Sequence, residues 1–181
     1  MNRTTTEHDG SQASPVGRLA AALAALALAA CTAYGPGDVR VGQHADDVSR
    51  SMGAPTARYA LPDGGTRVEY ARGPYGKHTY MVDTDAAGRV TGWRQVLDEK
   101  NFNALPVGMP ADDVLRTIGT PSERFAIPRQ GLQIWNYRYE TPFCIWFQVS
   151  VDPRERRVRE TGYGPDPHCP ENRPQFGFVP F

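Results

Sequence analysis

Asp83-Thr84-Asp85-Ala86-Ala87-Gly88 comes nearest to a chemical motif, because alternating aspartates ahead of a glycine open many calcium loops. The loop cannot be completed: Ala87 holds its fifth position, and Arg94 stands where a bidentate glutamate must close the shell. A hairpin turn is expected there. The pairs Asp46-Asp47 and Asp112-Asp113 could offer paired carboxylates, yet each sits where the first turn of a helix favours negative charge. His44, His78 and His168 fall at a helix start, on a strand and in the tail, without the pairing that acid–base or ligand chemistry needs. No Gly-x-Ser-x-Gly, Walker loop, Gly-x-Gly-x-x-Gly or His-Glu-x-x-His occurs. The expectation is therefore no enzyme, no cofactor and no metal, with no catalytic residues to name.

The three cysteines, Cys31, Cys144 and Cys169, carry what chemistry remains. Leu19 to Ala30 is an unbroken run of Leu and Ala, preceded by Arg3 and Arg18 and too short for a bilayer that needs about 20 residues. A charged start, a short apolar run and small residues before a cut mark a secretory signal. Leu28-Ala29-Ala30-Cys31 resembles the lipobox of bacterial lipoproteins, which implies removal of 1–30, a diacylglyceryl thioether on Cys31 and a lipid-anchored linker over 31–40. Acyl chains contribute about 0.8 kcal/mol per buried CH₂, so two or three of them anchor a protein stably. Thr32 in place of an aspartate implies, by the same resemblance, the periplasmic face of the outer membrane. With Cys31 acylated, Cys144 and Cys169 are the remaining thiols in an oxidising compartment, and a disulfide between them is expected. Closing that loop would be worth roughly 3 to 4 kcal/mol in the chain-entropy model, against two reduced thiols as the alternative.

The 181 residues are 40% hydrophobic and 22% charged, enough for one ordinary core or two small ones. Disorder, collagen and a polytopic membrane protein are excluded. Twenty basic residues balance twenty acidic ones, so no net field exists to hold a nucleic acid.

Positioning falls to a segment that recurs. Residues 41–65 and 107–131 align without a gap, and thirteen of the twenty-five positions are identical. Each copy opens with a helix: Asp112 and Asp113 in a first turn after Pro110, Val114, Leu115 and Ile118 as the buried stripe, then Gly119 and Pro121 as the stop; Val48 and Met52 form the stripe in the first copy. The period then changes to two, predicting strands near 57–61, 66–72, 78–83 and 89–96, and near 123–127, 132–139, 143–151 and 157–162. The expected class is α+β: two tandem repeats, 41–100 and 101–162, of a short helix and an antiparallel meander, with helices packed on one face of the sheet. Proline-rich 163–181 reads as a tail.

Gly108-Met109, Val114, Gly119-Thr120-Pro121 and Trp135-Asn136-Tyr137, together with the lipobox, resemble the SmpA/OmlA (BamE-like) outer-membrane lipoproteins. The tandem form resembles the fold of β-lactamase inhibitory protein, whose halves join their sheets. The resemblance implies a protein-binding role in outer-membrane barrel assembly. The chain departs from the family in its two copies and in lacking a Gln-Gly-Asn stretch after the cysteine.

Alternation in Phe143-Cys144-Ile145-Trp146-Phe147-Gln148-Val149-Ser150-Val151 predicts that the odd positions face the core and Cys144, Trp146, Gln148 and Ser150 face away. Parity likewise turns Ile134 and Arg138 outward in the second copy, and Met81 and Trp93 in the first. Trp93, Arg138 and Trp146 are thus candidate partner-binding residues on a helix-free face. The expected function is a non-enzymatic outer-membrane lipoprotein acting as a protein-binding scaffold, in barrel assembly or envelope integrity. A periplasmic inhibitor or envelope-polymer-binding lipoprotein is the alternative.

Overall fold

The computed structural model describes residues 36–73 and 76–170. The expected leader, Cys31, the start of the expected linker and residues 171–181, with Phe176, Phe178 and Phe181, lie outside the described residues. By its contacts the chain divides into Met1–Ala33 and Tyr34–Phe181, and all described residues belong to the second unit.

Helix α1, Ala45–Met52, is capped by the His44 side chain, whose Nδ1 accepts from the Asp46 amide at 3.3 Å. Gly53, at φ 80°, ends it in a conformation that a side chain disfavours. Four strands follow: β1 Ala57–Ala60, β2 Thr66–Arg72, β3 His78–Thr84 and β4 Val90–Gln95, paired in chain order as one antiparallel sheet. The Asp85 carboxylate closes the β3–β4 turn by accepting from the Ala87 and Arg89 amides at 2.9 and 2.8 Å, a turn use of the residue that mimicked a calcium ligand. A short helix that periodicity did not predict, α2 Glu99–Asn103, is capped by Asp98 and spans the boundary drawn at 100/101. Helix α3, Ala111–Ile118, precedes β5 Glu123–Ile127, β6 Leu132–Tyr137, β7 Ile145–Asp152 and β8 Arg157–Pro165, a second antiparallel sheet in chain order. Pro165 is tolerated at the end of an edge strand, where its missing N–H breaks no ladder.

The α+β expectation, tandem helix-and-meander repeats with helices on one face of one sheet, is corrected. The architecture is β-rich: two separate four-stranded antiparallel sheets and, among the described residues, only short helices. An eight-residue helix is about 12 Å long and cannot form a layer over strands of comparable or greater length. Each helix contributes only a few side chains to a core. Val48 and Met52 join Val68, Tyr70, Tyr80, Val82 and Val90 in the first. In the second, Ala111, Val114 and Ile118 join Trp135, Tyr137, Phe147 and Val149, and Phe102 of α2 stacks on Phe147 with ring centroids 4.3 Å apart. Each buried Val, Ile, Met or Phe among them is worth about 1.5–3 kcal/mol.

Nor does α3 belong to one sheet alone. Its buried stripe faces the second, while the Arg67 guanidinium of the first donates to the Arg116 carbonyl at 3.0 Å, satisfying one of the orphan acceptors at the helix C-terminus. The next residues are gripped from both sides. Gly119 O accepts from the Tyr137 hydroxyl at 3.1 Å, and the Thr120 amide donates to Glu69 Oε1 at 2.8 Å. Thr120 Oγ1 and the Tyr59 hydroxyl reach Glu69 Oε2 at 3.2 and 2.7 Å, so this fully buried carboxylate is hydrogen-bonded on both oxygens. Burial, more than any other influence, pushes the Tyr59 and Tyr137 hydroxyls above their ordinary pKa, with the Glu69 bond adding to the effect at Tyr59; both remain donors. Gly119 has φ 83°, and a Cβ there would stand 2.9 Å from Thr79 Cγ2 and 3.0 Å from Glu69 Oε1. Only glycine fits.

Candidate functional site

The outward-facing residues that parity proposed divide between two places. Arg138, just past β6, and Trp146, on β7, come together on the second sheet's face away from α3, the Arg138 guanidinium carbon 5.6 Å from the Trp146 ring centroid. Gly164 stands opposite Trp146 in the ladder, and a Cβ there would lie 2.7 Å from Gln148 Oε1 and 3.7 Å from the Trp146 indole nitrogen. Its missing side chain makes room for both.

A segment just beyond β8 covers the pair. The Asp166 amide donates to Cys144 O at 3.0 Å, extending the ladder by one residue, and the Cys169 amide donates to Asp166 O at 3.1 Å, turning the chain back. Asp166 accepts from Arg138 Nε at 2.7 Å and from the His168 amide at 2.9 Å, while Arg138 Nη2 reaches Glu123 at 2.9 Å. His168 Nε2 lies 2.8 Å from the same Glu123 carboxylate, and its ring meets Trp146 edge-on. Arg138 is 6% and Trp146 5% exposed. Burial would raise the Asp166 carboxyl, but the hydrogen bonds from Arg138 and His168 and the guanidinium charge outweigh it and hold the pKa below its ordinary value. Burial likewise opposes the Arg138 charge and is overcome by Asp166 and Glu123, which raise its pKa. Sequence reasoning missed Glu123, Asp166 and His168. The first belongs to an edge strand and the others to a proline-rich stretch, and no periodicity connects them.

Trp93 lies elsewhere. The expectation that it and Met81 share an outward face is corrected by an irregularity in the β3–β4 register: Thr84 pairs with Val90 and Asp83 with Gly92, so Thr91 is skipped and the parity of β4 inverts. Trp93 therefore stands opposite Val82 on the α1 side, edge-on to Tyr80, with its indole N–H donated to Val39 O at 3.1 Å. It is 43% exposed and fastens the incoming segment. Met81 is fully buried on the other face, which holds the Glu69 cluster. Arg67 there forms a two-pronged pair with Asp83, at 2.6 and 2.8 Å, joined by Arg94 at 3.2 Å. Burial opposes the Asp83 charge, but the two guanidinium groups prevail and lower its pKa.

Phe143, expected in the core, is 68% exposed, because it precedes β7 and projects past the reach of α2 and α3. Ile145 and the buried Tyr139 line a cleft with it, and Tyr163, itself 42% exposed and bonded to Asn103 Oδ1 at 3.1 Å, meets Tyr139 with ring centroids 6.3 Å apart. The cleft, of about 90 Å³ beside this aromatic edge, is also lined by Lys77, Arg138, Asp166 and both Cys144 and Cys169.

No protein-family model and no curated protein matches the chain. Among solved structures it is similar to a cysteine-rich secretory protein from Staphylococcus aureus subsp. aureus Mu50, at 15% identity and a TM-score of 0.27, over 68% of this chain and 42% of that one. It is also similar to an extracellular protein containing an SCP domain from Bacillus anthracis str. Ames, at 10% identity and a TM-score of 0.29, over 74% and 47%. The chain thus spans less than half the length of either, and likenesses this slight assign neither fold nor function. The SmpA/OmlA (BamE-like) resemblance is corrected: no protein-family model, of that family or another, matches the chain. The residues behind it are largely backbone punctuation and core: Gly108 and Gly119 take φ of 85° and 83°, Pro121 follows the helix stop, and Trp135 and Tyr137 are core. The tandem-repeat form and the joined sheet that it implied fall with it.

Proposed function

We propose that this chain is a lipid-tethered protein of the cell envelope that binds a protein partner and performs no catalysis of its own. Sequence supports the tether, through Leu28-Ala29-Ala30-Cys31 after an apolar run of signal length. The observation that carries the binding is the aromatic edge of the second sheet, where Phe143 and Tyr163 present large apolar surface beside Ile145. Aromatic side chains supply much of the energy of protein interfaces, and these two stand exposed on either side of the buried Tyr139. Trp93 offers a second, smaller apolar contact on the first sheet.

Two measurements on the full-length protein in cells test this. Metabolic palmitate labelling should mark the mature protein, and Cys31→Ala should release it from membranes. Photo-crosslinking from positions 143 and 163 should capture one protein reproducibly, while a site on the exposed Arg154–Arg156 turn captures none. Capture of an envelope polymer would transfer the reading to a polymer binder. An unlabelled, soluble protein would remove the tether, and no adduct from either position would remove the surface.

A further inference from the structure

We propose that Cys144 and Cys169 form a reversible disulfide latch that holds Asp166–Cys169 down over Arg138 and Trp146. The backbone brings the two together: Cys144 stands opposite Asp166 through the Asp166 N–H to Cys144 O bond, and one tight turn, closed by Cys169 N–H to Asp166 O, carries Cys169 back toward the ladder. Antiparallel partners have Cα atoms about 4.5–5.5 Å apart and tight turns close within about 7 Å, so the backbone keeps Cys169 within about 12 Å of Cys144, and a small shift of the short turn brings the pair to the separation of about 7 Å or less that a disulfide requires. Both half-buried side chains, not joined to each other in the structure, line the cleft that also holds Arg138 and Asp166. The latch has a segment to secure. Among the contacts that hold Asp166–Cys169 are the Asp166–Arg138 and His168–Glu123 pairs, the His168 ring against Trp146 and two backbone bonds, none of them covalent.

Oxidation joins the two sulfurs as both thiols lose their protons and two electrons pass to the disulfide of a partner oxidant, glutathione disulfide or a thiol–disulfide oxidoreductase, which becomes two thiols. The reverse exchange opens the latch. Closed, it covers the guanidinium and indole that interfaces favour; open, it lets the segment lift and adds them to the neighbouring aromatic edge. Only this last consequence rests on the proposed partner binding.

The test uses the full-length chain, equilibrated in glutathione buffers from reducing to oxidising, and is independent of where the protein resides. Thiol trapping should show Cys144 and Cys169 protected together and linked in one peptide in the oxidised protein, and both alkylated after reduction. Amide exchange at His168 and Cys169 should then accelerate at least about tenfold on reduction. Cys144→Ser and Cys169→Ser should each show the fast exchange under all buffers, with exchange in the core strands unchanged. Two alkylated cysteines at the oxidising end would overturn the disulfide, and a disulfide whose reduction leaves exchange at 168 and 169 unaltered would overturn the latch. Failure to capture a partner, with the latch intact, would count against the binding proposal alone.

Discussion

Each sheet has a face turned away from its main hydrophobic cluster, and in each the buried charge on that face is covered by a different kind of lid. On the first sheet the lid is the C-terminal end of α3 with Gly119 and Thr120, mid-chain residues held from both sheets by Glu69 and Tyr137. On the second it is Asp166–Cys169, beyond the last strand and bonded to Cys144, Arg138 and Glu123 of the second sheet and its margins. The ion-pair chemistry is comparable, Arg67 with Asp83 against Arg138 with Asp166, but the connectivity is not. Lifting the first lid requires α3 to leave the second core, whereas lifting the second, once its disulfide is reduced, requires polar bonds to exchange with water and uncovers one indole. The first is therefore structural, and the second is where a regulated opening can occur.

The largest effect should come from breaking the first lid. Gly119→Ala forces a side chain into φ 83° and against Thr79 and Glu69, and should cost about 3 kcal/mol or more. Glu69→Ala strands the Thr120 amide and the Tyr59 hydroxyl in a buried site and should cost about 3 kcal/mol. Urea denaturation would read both as a lower midpoint with an unchanged slope, and an effect under about 1 kcal/mol would show that the two sheets do not depend on this joint.

Asp166→Asn, on the second lid, should cost less, about 1–2 kcal/mol, because Arg138 keeps its Glu123 partner and gains water when the segment lifts. It also sharpens the comparison through pH. Asp83 and Asp166 have pKa values lowered by folding, so each stabilises fully above its unfolded pKa and loses that contribution as pH falls through the lower folded pKa. Below about pH 4, both Asp166→Asn and Asp83→Asn should flatten the fall of stability with acid. Titration curves of stability parallel to wild type would contradict this for either residue. The smallest effect belongs to Trp93→Phe, which keeps most of the ring contact with Tyr80 and loses the bond to Val39, about 1 kcal/mol by thermal or urea unfolding.

Much of this architecture is legible in the amino-acid sequence alone. The eight strands lie within about two residues of where the alternation and the turn residues put them, apart from the far end of β8, and Gly119 stops its helix where the pattern calls for a left-handed residue. The departures have particular causes. A register irregularity at Thr91 inverts the parity that placed Trp93, and no side-chain pattern marks such a skip. Glu69 reads as a solvent-facing charge because its partners, Tyr59 and Thr120, lie on other elements and a carboxylate is buried only where distant donors meet it. Phe143 follows the core parity of β7 but stands past the helices that would cover it. Arg138 and Trp146 do share the face that alternation gives them, but nothing in a proline-rich stretch marks the segment that closes over them.

Native-state amide exchange on the oxidised full-length protein compares the two lids within one molecule. The Thr120 amide, donated to Glu69, should exchange only through global unfolding and follow denaturant as the core strands do. The His168 and Cys169 amides should exchange through a smaller, nearly denaturant-independent opening that reduction makes easier still. Exchange of Thr120 by local opening, or His168 and Cys169 protected to the same depth as Thr120 after reduction, would contradict the assignment of one structural lid and one that opens.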